Sequence, residues 1–173
     1  MTVLRVAKIT FIGFLAVALQ VSVAAQLPIA GAMVDVILIA TIAAGLAAGP
    51  EAGAGVGFGC GLLIDLLGAG PVGMTALVYT MIGYGVGVSQ IGVLRTSRLI
   101  PLVSATIAAP VAVFAYAWIG EVLGQHLFAV ADVPTVALVV TVSTALLCLP
   151  ARAAMAWAFA EDDVRQIQGI GRW

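Results

Sequence analysis

Six apolar stretches, each close to the length of a membrane-spanning helix, dominate this sequence and limit the folds open to it. They cover approximately residues 9–27, 32–49, 52–67, 71–92, 99–123 and 133–150. A helix needs about 20 apolar residues to cross the hydrocarbon core of a bilayer. Charged residues make up only 9% of the chain, whereas they make up about a quarter of a soluble domain. We therefore predict an all-α membrane protein, a six-helix transmembrane bundle that forms a single integral membrane domain over residues 1–173.

Proline and glycine mark the ends of these stretches. Pro28 follows the first stretch, and Gly49-Pro50 ends the second. Pro71 is well placed for the first turn of the fourth helix. The third stretch is the shortest, so it either crosses the membrane or re-enters on the same side. The sixth weakens at Pro150, and residues 151–160 either extend a kinked helix or lie along the membrane interface.

The positive charges indicate how the predicted helices are oriented. All seven Lys and Arg residues fall into three clusters. The clusters are Arg5 with Lys8, Arg95 with Arg98, and Arg152 with Arg165 and Arg172. Positive residues near helix ends stay on the cytoplasmic side. Four predicted spans separate the first two clusters and two separate the last two, so six crossings place all three on one side. Both termini and a tail over about residues 160–173 are therefore predicted to be cytoplasmic.

The first stretch also has features of a cleavable signal peptide. Arg5 and Lys8 precede an apolar run that contains Ser22-Val23-Ala24, the kind of site at which such peptides are cut. The apolar run continues past this site, however, and five more stretches follow. We favour a retained first helix.

Glycines recur every four residues in the centre of the chain. On a helix such residues share one face. They are Gly53, Gly57 and Gly61, followed by Asp65, in the third stretch, and Gly83 and Gly87 in the fourth. Small residues at this spacing let neighbouring helices approach closely in lipid. The pattern predicts packing between the protein's own helices or contact with a partner.

Two carboxylates fall within the predicted spans. Asp35 lies near the outer end of the second span and Asp65 near the outer end of the third. A carboxylate inside a membrane is costly, so it should have a partner. Antiparallel neighbours could bring the two together, which would favour protonation of one of them. The alternative is that both cap helix ends at the level of the headgroups, in contact with water.

No residue pattern indicates catalysis or metal binding. His126, the only histidine, lies near Glu121 in a predicted outer loop, where we expect it to be solvated. Cys60 and Cys148 lie inside apolar runs and lack metal-site spacing. No basic cluster could neutralise several phosphates. We therefore expect no enzyme activity, no cofactor and no nucleic-acid partner.

The most informative segment lies between residues 55 and 85. It contains Gly57-x-x-x-Gly61-Leu-Leu-Ile-Asp65-Leu-Leu, then Pro71-Val-Gly73-Met, an aliphatic run and Gly83-Tyr84. This pattern, together with the chain length and the six spans, resembles the MreD family of rod shape-determining membrane proteins. The family-matching positions are Gly57, Gly61, Asp65, Pro71 and Gly73.

The resemblance implies a non-catalytic scaffold of the cell-elongation machinery in the bacterial plasma (inner) membrane. Such a scaffold would bind MreC and help to organise peptidoglycan synthesis and cell shape. RodA, a class B penicillin-binding protein and MreB would belong to the wider complex, membrane lipid would surround it, and a homo-oligomer is a further alternative. The resemblance also implies a fold similar to the S-component, the substrate-binding subunit of energy-coupling-factor transporters.

The competing function is a substrate-binding membrane subunit of a vitamin transporter, or another small transporter. Intramembrane carboxylates such as Asp35 and Asp65 often mark ion or substrate paths. A solute cavity, however, needs several convergent polar groups. Besides the two carboxylates, the spans offer few polar residues, chiefly Gln20, Ser22, Thr75 and Tyr79. The scaffold is therefore the predicted function.

Overall fold

The computed structural model describes residues 3–22, 32–68, 70–90, 99–130 and 132–159. Every secondary-structure element within these ranges is an α-helix, which confirms the all-α prediction. The helices are α1 (Val3–Ser22), α2 (Val36–Ala48), α3 (Pro50–Leu67), α4 (Met74–Ser89), α5 (Leu99–Val122), α6 (Leu127–Val130) and α7 (Val133–Phe159). Six of them are long, and α6 is a single turn between α5 and α7.

Each predicted span overlaps one of the long helices, although α1, α3 and α7 extend beyond the predicted bounds. Among the described residues, three segments are long and apolar enough to cross a membrane: Pro50–Leu67, Pro101–Val122 and Val133–Phe159. The first of these is the stretch for which re-entry was the alternative, and it forms an unbroken 18-residue helix. The apolar parts of α1, α2 and α4 are shorter. Six complete crossings therefore stay a prediction, and the predicted tail over residues 160–173 lies outside the described residues.

A single residue, Gly49, joins α2 to α3. Its φ of 91° lies in the left-handed region that favours glycine. Its N–H donates to Gly45 O at 3.0 Å, so it caps α2. Pro50 then occupies the first turn of α3, where its missing N–H costs nothing. Glycine followed by proline thus connects the two helices through a single residue.

The last helix extends beyond the predicted span over residues 133–150, which is the first of the two alternatives for the residues after Pro150. It continues past Pro150 for nine residues and ends at Phe159. Proline removes one hydrogen bond from a helix, but packing favours continuation here, because Met155 and Ala158 are fully buried. Lys8 Nζ of α1 lies 4.3 Å from the ring centroid of Trp157, a cation–π contact that joins the two helices.

The second helix forms the centre of the bundle. All ten residues from Ile37 to Leu46 are buried, because α2 contacts α1, α3, α4, α5 and α7. A helix that is apolar on every side belongs in such a position. Large apolar side chains are exposed on the outer helices, among them Phe11, Phe14, Trp118 and Leu146. This outward display of apolar surface suits a lipid environment.

Candidate functional site

The backbones of α3 and α4 touch along the glycine stripe. A Cβ atom placed on Gly57 would lie 2.5 Å from Tyr79 O, and one placed on Gly61 would lie 2.6 Å from Ala76 Cα. Gly53 and Gly83 face each other, so that a Cβ on either would collide with the carbonyl group of the other. No side chain, not even a methyl group, fits between the two helices at these positions.

Other glycines of the same helices face away from this contact. A Cβ on Gly55 or Gly59 of α3, or on Gly85 of α4, would meet no atom within 4 Å. Gly87, by contrast, packs against Pro50 at the start of α3. The structure therefore separates two sets of glycines that look alike in the sequence. One set is enclosed between helices of this chain, and the other is open.

The second helix supplies a third wall, which the sequence analysis missed. A Cβ on Gly45 would lie 2.7 Å from Gly83 O. Thr41 is completely buried, and its Cγ2 would lie 2.9 Å from a Cβ on Gly57. Its hydroxyl donates to Ile37 O at 2.9 Å, so no polar group is left unpaired. The signal was present, because Thr41 and Gly45 repeat the four-residue spacing of small residues on α2.

Asp65 connects the end of α3 to the beginning of α4. Its Oδ2 accepts hydrogen bonds from the N–H groups of Gly73 at 2.9 Å, Thr75 at 3.0 Å and Ala76 at 3.2 Å. The first N–H groups of a helix have no partner within the helix, and a carboxylate there is favoured by the helix dipole. Gly73, the N-cap of α4, has no side chain to offer and has a φ of 95°. Asp65 therefore caps α4 from the neighbouring helix.

Asp65 is buried rather than solvated, with 8% of its surface exposed. Its cost of burial is offset by charge-assisted hydrogen bonds to backbone amides. The turn that presents these amides contains Pro71, whose carbonyl oxygen accepts from Met74 N at 3.3 Å. The carboxylate thus holds the α3–α4 turn in one conformation.

Asp35 has its own partners and forms no hydrogen bond with Asp65. It is the N-cap of α2, where Oδ1 accepts from Leu38 N at 2.9 Å. Its Oδ2 accepts from the hydroxyl of Tyr79 on α4. Next to it, Gln20 of α1 accepts from Val36 N at 2.7 Å through Oε1. Of the two alternatives for these carboxylates, the structure shows two separate helix caps, because each carboxylate lies beside the unpaired N–H groups at the start of a helix.

The remaining candidates take no part in the two carboxylate caps. His126 is 74% exposed, and its Nδ1 is 3.4 Å from Glu121 Oε1. Cys60 and Cys148 are buried free thiols. Within the described ranges, no three His, Cys, Asp or Glu residues are grouped as metal ligands. In the described chain, the polar groups most fully joined by hydrogen bonds are therefore the two carboxylate caps. Their role is to form hydrogen bonds between helices.

Comparison with known protein families identifies the family of this chain. The family described as rod shape-determining protein MreD matches residues 2–153 of the 173-residue chain. The chain belongs to the MreD family. The match spans the glycine stripe and both carboxylate caps. Membership assigns the chain to rod shape determination, and together with the three apolar helices it indicates a membrane protein.

The family places the chain in the shape-determining complex, among structural proteins of the cell. No curated protein and no solved structure matches the chain. The similarity to the S-component fold therefore stays a prediction.

Proposed function

We propose that this MreD-family chain is a non-catalytic membrane scaffold that binds MreC and helps to organise peptidoglycan synthesis during cell elongation. The observation that supports it best is the use of Asp65. Its carboxylate accepts from three backbone amides, which is a structural task. A carboxylate committed in this way is a poor proton or ion carrier, since each binding event would break the cap of α4.

The positions of the enclosed and open glycines limit which face of α3 a partner helix can contact. Gly53, Gly57 and Gly61 are enclosed by α4, so a partner helix cannot reach them. Gly55 and Gly59 lie open on the other side of α3, and both are exposed. We propose that these two, rather than the stripe, are where a partner helix could approach the α3 backbone closely.

The topology that goes with this proposal follows the positive charges. One integral membrane domain crosses the bacterial plasma membrane six times, with both termini in the cytoplasm. MreC would be the direct partner, and RodA, a class B penicillin-binding protein and MreB would join the wider complex. A second copy of the chain is the alternative occupant of the open face of α3.

Affinity purification of the tagged full-length chain in mild detergent tests the scaffold. We expect MreC and cell-wall synthesis proteins to be recovered with it. Gly59→Leu, on the open face, should reduce MreC recovery while the protein still accumulates. Recovery of an ATPase module or a tightly bound vitamin in place of MreC would overturn the scaffold and favour the transporter subunit.

A further inference from the structure

A cavity of about 410 Å³ lies inside the bundle, at the end where α2 begins. This volume falls within the range of about 300–1,000 Å³ that is usual for ligand pockets. Most of the lining is apolar, but five polar side chains line the cavity, from three helices (α1, α4 and α5) and the N-cap of α2. They are Gln20, Asp35, Thr75, Tyr79 and Tyr116. The lining also includes Met33, which is 47% exposed, so the cavity reaches the surface.

Asp35 brings a carboxylate to this cavity without a counter-ion. Among the described residues, the cavity lining contains no Lys, Arg or His. An ionised carboxylate can accept about four hydrogen bonds, and Asp35 receives one each from the backbone N–H groups of Leu38 and Ile37 and one from the Tyr79 hydroxyl. One acceptor position therefore remains open. A carboxylate within a membrane-spanning segment normally has a partner. The open acceptor position of Asp35 is therefore available to a molecule in the cavity.

Three further polar groups in the cavity also have capacity to spare. Thr75 is 8% exposed, and its hydroxyl forms no hydrogen bond with any described residue. The same holds for the hydroxyl of Tyr116 and for the side-chain amide nitrogen of Gln20 within the described part of the chain. None of these atoms is fully enclosed by protein, since the buried unpaired side-chain atoms of the described chain are Glu121 Oε2 and Thr144 Oγ1. The hydroxyl oxygens of Thr75 and Tyr116 can therefore accept hydrogen bonds from a molecule in the cavity.

We propose that this cavity binds a primary ammonium group carried on a short apolar stem. The ammonium donates to Asp35 and to the hydroxyls of Thr75 and Tyr116, and the stem lies against apolar side chains such as Val113 and Val136. An ammonium has three donors and no acceptor, which matches one carboxylate and two hydroxyl oxygens. Two sources carry this chemistry: the ethanolamine headgroup of a phospholipid, and a free alkylamine. The amide of Gln20 could donate to the phosphate of the lipid. This site is independent of the scaffold, because it requires no protein partner.

Binding to the purified full-length chain in mild detergent tests the site. The probes are short-chain phosphatidylethanolamine, short-chain phosphatidylglycerol and hexylamine, and native mass spectrometry measures their affinities. We expect the ethanolamine lipid to bind at least about tenfold more tightly than the glycerol lipid, because a hydrogen bond to a charged group is lost with the latter. Displacement by hexylamine at similar concentrations would identify the ammonium alone as the ligand. Resistance to displacement would identify the lipid.

Asp35→Asn is the decisive variant. Asparagine is as good an N-cap as aspartate, so α2 should begin at the same residue while the charge is lost. We expect the affinity for the ethanolamine lipid to fall about tenfold or more. Asp132→Asn, which removes an exposed carboxylate just before α7, is the matched control and should leave the affinity unchanged.

Three results would overturn the site. The first is equal affinity of a folded Asp35→Asn variant and the unsubstituted chain for the ethanolamine lipid. The second is failure of both amines to bind, and the third is equal binding of the two lipids. If Asp35→Asn does not fold, Tyr116→Phe replaces it, because that hydroxyl has no partner in the described chain to lose. Tyr116→Phe should weaken binding at least about twofold, and unchanged binding would equally count against the site.

Discussion

Substitution of Gly57 by alanine should separate α3 from α4, although it adds only one methyl group. The new Cβ would lie 2.5 Å from Tyr79 O, which is about 0.9 Å closer than the 3.4 Å of ordinary contact. Backbone atoms of α4 are on one side and Thr41 Cγ2, at 2.9 Å, is on the other. Neither the α4 backbone nor the buried Thr41 side chain can move aside as easily as the end of a long, flexible side chain would. The two helices must therefore move apart.

The size of the effect follows from two opposing contributions. Overpacking of a close-packed contact costs about 1–3 kcal/mol, and the backbone origin of this collision puts it at the upper end. Alanine regains about 1 kcal/mol because it favours the helix more than glycine does. We expect Gly57→Ala to be net destabilising by about 2 kcal/mol. Gly59→Ala keeps only the favourable contribution, since its Cβ meets no atom within 4 Å.

Thermal unfolding of the two variants in the same detergent, followed by loss of the monodisperse chromatographic peak, measures the difference. A loss of about 2 kcal/mol should lower the melting temperature of Gly57→Ala by about 4–8 °C. Gly59→Ala should melt at or slightly above the temperature of the unsubstituted chain. Equal melting temperatures for the two alanine variants would show that α3 and α4 are not in backbone contact, and the reasoning about the stripe would fail.

Three further predictions concern the caps and the topology. Asp65→Asn should keep an acceptor for the α4 amides and support normal cell shape in a depletion strain. Asp65→Leu should lower the free energy of unfolding by about 3 kcal/mol or more, because it leaves buried N–H groups unpaired. A stable, assembled but inactive Asp65→Asn protein would contradict the scaffold. Tyr79→Phe should lower the free energy of unfolding in detergent by about 1–3 kcal/mol, because it removes the hydroxyl that the carboxylate cap of α2 accepts from; an unchanged value would argue against that hydrogen bond. Reporter fusions should be cytoplasmic after Arg98 and after Trp173 and periplasmic within Glu121–Asp132, and a periplasmic signal at Trp173 would exclude six crossings.

The two alternatives for the carboxylates illustrate a limit of sequence analysis. Asp35 and Asp65 are predicted near the outer ends of neighbouring spans, where they could either approach each other, with one of them protonated, or cap helix ends. In the structure each carboxylate accepts from a different helix start: Asp35 caps α2 and Asp65 caps α4. Which donors reach a carboxylate depends on the rotation of each helix about its axis. Sequence spacing predicts which residues share a face, but it leaves that rotation undetermined.

The length of each helix was largely a property of the sequence. Apolar stretches, glycines and prolines act within a few residues of themselves, so six long helices and the turn at Gly49-Pro50 could be read directly. The end of α7 could not. Pro150 leaves a continued helix and an interfacial segment both open on local grounds, whereas the burial of Met155 and Ala158 carries α7 on to Phe159. Tertiary packing overrides a local preference wherever burial of side chains stabilises the fold by more than the local preference costs.

The sequence by itself determined the class of protein, because the charge content and the apolar lengths of this chain suit only a lipid environment. It also singled out the glycines of α3. Only the tertiary structure decided that Gly57 touches another backbone while Gly59 is open, and that Thr41 of α2 closes the contact. It alone brought together Asp35 and Tyr79, which are 44 residues apart. The physical reason is common to all of these cases. A helix forms through interactions between residues that are close in the sequence, whereas a site forms where helices pack against one another. That packing depends on the surfaces of all the helices together.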